Sequence, residues 1–238
     1  MRFMCVGDSM TIGRAGDFTW RYRVWQHLSA SFGGPFRLVG PRTGLYDSTA
    51  DAPVSADYAA PDFPAEARGH LAGWGEGWRH MAPLAREAVG TQRADVLLVS
   101  LGLIDLGFYT DSAQTERLVR AFVAAARAAN PRVRAVLLPV IPNIRAESDA
   151  AFAAEVDRFN GLLARAVADL DRPQSPLLLA PRPPSYSVHR DTYDGTHPNS
   201  AGEHKLAAAF TDTMHRAWGL GAPYARHSGS RAGAPGRW

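Results

Sequence analysis

Short apolar runs recur along the chain at Phe3–Val6, Phe36–Val39, Ala94–Leu101, Arg132–Ile141 and Pro176–Ala180. Each is the length of a strand, and none shows the alternation of a half-exposed one. Between them the spacing turns helical. Phe152, Val156, Phe159, Leu163 and Leu170 fall on one helix face, and Leu118, Phe122 and Ala126 on another. The second of these opens on Asp111-x-x-Gln114, a pattern similar to a capping box. A last helix carries Leu206, Phe210, Met214 and Trp218, with Ser200-x-x-Glu203 as its start signal and Gly219 as its stop.

Strands alternating with helices imply right-handed βαβ units and a parallel sheet. Near-continuous apolar strands such as Val96–Val99 fit a sheet covered on both faces. The expected object is an α/β protein, a three-layer α/β/α sandwich on a five-stranded parallel sheet, with its ligand at the carboxyl ends of the strands. Two stretches break the rhythm. Residues 42–68 are rich in Pro, Asp, Ser and Ala without period and read as a long loop or lid. Residues 221–238 read as a flexible basic tail. No repeat or linker divides the rest, so residues 1–220 form one domain.

At 238 residues the chain can bury a sizeable core without disulfides, and Cys5, its one cysteine, rules out an intrachain bridge. The net charge is +3, and the 26 basic residues include a single lysine, Lys205. The arginines are scattered beside acids, so no stripe suited to nucleic acid appears. There is no apolar run long enough to span a membrane and no leader-like start, which points to a cytoplasmic protein.

Two polar clusters sit where a parallel sheet places chemistry. Gly7-Asp8-Ser9-Met10-Thr11-Ile12-Gly13 follows the first strand, where a serine before a helix can be an exposed nucleophile. The sequence is neither a G-x-S-x-G elbow nor a P-loop. Asp194-Gly195-Thr196-His197-Pro198-Asn199 precedes the last helix. An Asp three residues before a His can fix its tautomer and leave the other ring nitrogen as a general base. A serine hydroxyl needs such a base at neutral pH.

Together these blocks resemble the GDSL/SGNH hydrolase family, with its flavodoxin-like fold. The resemblance extends to Gly69-His70-Leu71-Ala72-Gly73-Trp74, similar to the family's second block, and to Asp95–Gly107, similar to its third. It implies Ser9 as nucleophile, His197 as base, Asp194 as orienting acid, and the N–H groups of Ser9 and Gly73 as the oxyanion hole. Gly69 is the alternative to Gly73. No cofactor is implied, and no metal. Asp8 and Asp105, which would face the strand ends, suit hydrogen bonds to loop backbones better than an ion, although Asp105 is also a candidate substrate contact.

One position departs from the family. The third block reads Gly-x-Asn-Asp there and Gly102-Leu103-Ile104-Asp105 here. Isoleucine has no donor, and losing an oxyanion donor typically costs about 10²–10³ in rate. Three outcomes follow: ester hydrolysis on backbone donors, acyl transfer or a tailoring reaction in which Ile104 shapes the pocket, or a binding protein without turnover. Asn143, after the fourth strand, is a candidate replacement donor, and His70 a candidate substrate contact. Trp74 and Ile104 would touch a small ester or acyl substrate. Trp78, Phe108 and Tyr109 could line its pocket, with Tyr46, Tyr58 and Phe63 closing over it.

Overall fold

A computed structural model describes residues 1–225. In chain order the elements are β1 (Arg2–Gly7), α1 (Ser9–Ile12), α2 (Trp20–Ser31), β2 (Arg37–Leu38), β3 (Leu45–Asp47), β4 (Ala52–Ser55), β5 (Leu71–Ala72), α3 (Trp78–Gln92), β6 (Val96–Ser100), α4 (Ser112–Ala129), β7 (Arg134–Leu137), α5 (Ala150–Leu170), β8 (Leu177–Leu179), α6 (Val188–Asp191) and α7 (Ser200–Trp218). All five apolar runs are strands of one parallel sheet in the order β2-β1-β6-β7-β8. A further two-residue strand, β5, continues the edge beyond β2. Arg2 and Phe3 pair with β2, while Val6 and Gly7 pair with β5.

The central strands β1 and β6 are apolar along their length because helices cover both faces. Helices α3, α4 and α5 lie side by side, and α2 pairs with α7. Trp20 of α2 stacks on Phe210 of α7 at 4.8 Å. Phe152, Val156, Phe159 and Leu163 point into the core as their spacing predicts, with Leu170 only partly covered. Cys5, in the middle of β1, is fully buried, and desolvation pushes its thiol up to about 12.

Helix ends follow side-chain chemistry. Asp111 and Gln114 form the expected capping box on α4. On α7 the cap lies one residue earlier than the Ser200-x-x-Glu203 reading. The Asn199 side chain accepts the N–H groups of Ala201 and Gly202, and Glu203 turns inward to an ion pair with Arg23 at 3.2 Å. Gly219 ends α7 with φ +64°, a left-handed conformation that glycine adopts without strain.

Residues 42–68 are built against the body. They hold the β3–β4 hairpin, and Tyr46 exchanges backbone hydrogen bonds with Gly13 and Ala15. Phe63 is a core residue, and the Tyr58 hydroxyl donates to the Thr43 carbonyl. Both rings therefore serve packing and do not close over a pocket. Arg21, buried on α2, donates to the carbonyls of Thr11, Ile12 and Arg68 and to the Tyr58 hydroxyl. It ties the end of α1 to this segment.

Of the expected tail, residues 221–225 are docked. His27 Nε2 meets the Ala222 carbonyl at 3.0 Å, and the Tyr224 N–H donates to Asp212 at 2.7 Å. The remainder of that tail lies outside the described residues. No helix of the described residues is long and apolar enough to cross a membrane.

Candidate active site

Strand β1 ends at Gly7, and the chain turns at once into α1. Asp8 is the N-cap, its Oδ1 accepting the Met10 N–H at 3.0 Å. Ser9 is therefore the first helical residue, held at the carboxyl end of the central strand. Its N–H is one of the first-turn donors that an α-helix leaves without an internal acceptor. The loop between α6 and α7 brings Asp194 and His197 to the same place.

His197 Nε2 lies 2.9 Å from Ser9 Oγ, and His197 Nδ1 lies 2.7 Å from Asp194 Oδ2. Desolvation raises the Asp194 carboxyl, but the His197 N–H, the His197 ring and the Thr196 N–H outweigh it and hold the group below its ordinary range. An ionised carboxylate can only accept, so the proton on that side belongs to Nδ1. This leaves the Nε2 lone pair for the Ser9 hydroxyl. The three residues named from sequence thus form one connected hydrogen-bonded line across 188 positions of chain.

The loop carrying Asp194 and His197 is braced from outside. Its Gly195 has φ +84°, and a Cβ there would fall 2.7 Å from Ile144. The Ile144 N–H donates to the Gly195 carbonyl at 2.8 Å, and Asn143 Nδ2 donates to Thr196 Oγ1 at 3.2 Å. Asn143 is thereby a brace for the loop through its amide N–H.

Several expected contacts take other roles. The Gly73 N–H donates to the Gly7 carbonyl at 3.2 Å, continuing the β1–β5 ladder. A three-centre bond would be required for it to serve an oxyanion as well. Gly69 packs against the backbone of Val39 and Gly40. Asp105 is fully buried and accepts the N–H groups of Trp78 at 2.8 Å and Arg79 at 3.1 Å, so it caps α3 and does not contact substrate. His70 is buried too. It accepts the Ala72 N–H on Nδ1 at 3.1 Å, which leaves Nε2 to donate to the Gly44 carbonyl at 3.0 Å. Burial, with the nearby Arg21 charge, holds it neutral. Trp78 is core, whereas Phe108 and Tyr109 are exposed.

Ile104 is half-buried on the turn after β6, just before Asp105–Tyr109. Burial pushes the Asp8 carboxyl up to about 7, with the Asp105 charge adding to the rise against the Met10 N–H. Among the described residues no cluster of three or more His, Cys, Asp or Glu side chains could hold a metal ion.

The His197 ring also has aromatic neighbours. Trp74 stacks on His197 at 4.6 Å with planes 16° apart, and the Tyr193 ring lies near-parallel to His197 at 5.8 Å and 19°. Tyr46 stacks on Trp74 at 4.3 Å, and the Arg14 guanidinium sits 4.7 Å from the Tyr193 ring. Tyr193 and Arg14 carry no motif signal. Their only sequence cue is adjacency, one residue before Asp194 and one after Gly13.

A family model for GDSL-like lipases and acylhydrolases matches residues 5–205. The chain belongs to that family. Comparison with curated proteins finds no match. Solved structures share the fold. An acetyl esterase mutant with an acetate ion is 22% identical, with 91% of this chain and 97% of that one covered at a TM-score of 0.73. A family 3 carbohydrate esterase from Talaromyces cellulolyticus is 23% identical, with 91% and 97% covered and a TM-score of 0.72. The family 3 carbohydrate esterase of Clostridium thermocellum is 18% identical, with 91% and 96% covered and a TM-score of 0.70. A GDSL-type chain of this kind is an ester-hydrolysing enzyme.

Proposed function

We propose that the protein is a serine esterase acting on a small carboxylic ester through a Ser9–His197–Asp194 triad. The observation that carries this reading is the unbroken line from Ser9 Oγ to His197 Nε2 and from Nδ1 to Asp194. Ser9 Oγ attacks the carbonyl carbon while its proton passes to Nε2. The tetrahedral oxyanion is met by the Ser9 N–H, with the Gly73 N–H as a shared second donor. Collapse expels the alcohol, which takes the proton from Nε2. Water then gives a proton to Nε2 and attacks the acyl-enzyme. Breakdown returns that proton to Ser9 Oγ and releases the acid. No step requires a cofactor.

Asp194 works by holding the Nδ1–H tautomer and by supporting the imidazolium that forms in both halves of the cycle. The likeness to acetyl and carbohydrate esterases supports a short acyl group on a sugar-like alcohol as the first substrate to try. Incubation with a fluorophosphonate, followed by intact mass, tests the nucleophile directly. The expected result is one adduct on the wild type and none on Ser9→Ala. A wild type that stays unlabelled while folded would overturn the reading. An ester panel with and without added alcohols then separates hydrolysis from acyl transfer.

A further inference from the structure

We propose that Trp74 and Tyr193 are positioning residues that clamp the His197 imidazole on both faces, and that Tyr46 and Arg14 close the clamp from outside. The inference rests on the esterase reading for its kinetic consequence, but the clamp itself is a geometric claim. Tyr46, Trp74, His197 and Tyr193 lie in sequence with interplanar angles of 13°, 16° and 19°, and Arg14 caps the far end. The two ends of the stack are joined. The Tyr46 N–H donates to the Gly13 carbonyl at 2.9 Å, and the Tyr46 carbonyl accepts the Ala15 N–H at 2.8 Å, so the backbones of residues 14 and 46 run paired. The two outer members of the stack are thus held relative to each other by one backbone contact.

This has two chemical consequences. The imidazole can turn about its Cβ–Cγ bond only by displacing a ring, so Nε2 is held on Ser9 Oγ and Nδ1 on Asp194 throughout the cycle. In addition, an imidazolium between two π faces is favoured over a neutral ring, because the ring quadrupole attracts a cation. The gain is larger where the base is charged than where it is neutral, so it belongs to the transition state and to kcat. The two sides are unequal. Arg14 already places a positive charge over the Tyr193 ring, whereas Trp74 is stacked with the neutral Tyr46 ring. Trp74 is the stronger partner.

The test uses the full chain with Trp74→Leu and Tyr193→Leu, which remove a ring, and Trp74→Phe and Tyr193→Phe, which keep one. Circular dichroism checks folding. Kinetics are read on p-nitrophenyl acetate. The downfield proton signal of the His197–Asp194 hydrogen bond, identified by its loss in His197→Gln, is read by NMR. Trp74→Leu is expected to lower kcat about 10²-fold with little change in KM, in keeping with the cost of a misplaced catalytic group. Tyr193→Leu should lower it less. Both should broaden the NMR signal, and the Phe variants should restore kcat and signal. Leu variants with wild-type kcat and an intact signal would overturn the clamp. So would an effect confined to KM, which would make Trp74 a substrate contact. If the wild type cleaves no ester, the signal alone decides: its dependence on the rings would support the clamp while the esterase reading falls.

Discussion

Gly77 lies directly beneath the Asp105 carboxylate: a Cβ at position 77 would fall 2.2 Å from Asp105 Oδ2. The same carboxylate caps α3, so the third block and the start of α3 are locked by one buried acid. Gly77→Ala should therefore push the cap out of place, and Asp105→Ala should leave the Trp78 and Arg79 N–H groups without their acceptor. Each is expected to cost about 1–3 kcal/mol. For a chain of this size that is a fall in Tm of roughly 2–4 °C per kcal/mol. Thermal unfolding followed by circular dichroism measures it, and an unchanged Tm would show that the cap contributes nothing.

Ser9 and His197 share one hydrogen bond and should fail as a unit. Ser9→Ala and His197→Ala are each expected to remove most turnover, and the double variant should be barely worse than either. Initial rates on a p-nitrophenyl ester decide this. A Ser9→Ala protein near wild-type activity would end the serine-hydrolase mechanism.

Asp8 gives a pH-dependent prediction. Its folded-state carboxyl is pushed up to about 7 from an ordinary 3.8, so between these values the native state holds more protons than the unfolded one. Stability from this group is present in acid and is lost as pH rises through about 7. Asn caps a helix as well as Asp and does not titrate. Asp8→Asn should therefore leave Tm unchanged near pH 4 and raise it by several degrees at pH 8. A Tm difference that is flat with pH would show that the carboxyl is not perturbed by its burial.

Ile104 stands where the family carries an amide donor. Ile104→Asn is expected to raise kcat on a short p-nitrophenyl ester, by less than the factor of about 10²–10³ for a preorganised donor, because the surroundings fit an isoleucine. Some thermal stability should be lost to the added polar group. A folded variant whose kcat is unchanged or lower would identify position 104 as a pocket-shaping residue.

The sheet was legible in the sequence because parallel strands covered on both faces are apolar without interruption, as Val96–Val99 shows. Helix α2 was not, since its buried side carries Arg21 and Arg23, whose charges are met by carbonyls and by Glu203 from distant segments. The β3–β4 hairpin is too short and polar to show a period, and β5 has only two residues. At the site, Ser9, Asp194 and His197 could be named because their spacing is local or fixed by a strand end. Tyr193 and Arg14 could not, because ring stacking across the fold leaves no pattern along the chain. Asp105 bonds backbone N–H groups as its place at a strand end suggested, but its substrate-contact reading, like that of His70, met a related obstacle: a polar residue near a motif looks available until its buried partners are seen.

Cys5 lies on β1, four residues before Ser9 at the start of α1, its thiol sealed in the core. The molecule therefore carries two chemical reporters on one short peptide. The serine answers to the assembled site, and the thiol answers only when the sheet opens. Treated together with a phosphonate and an alkylating agent, a population of molecules would sort itself by mass into those that were folded and competent and those that had come apart.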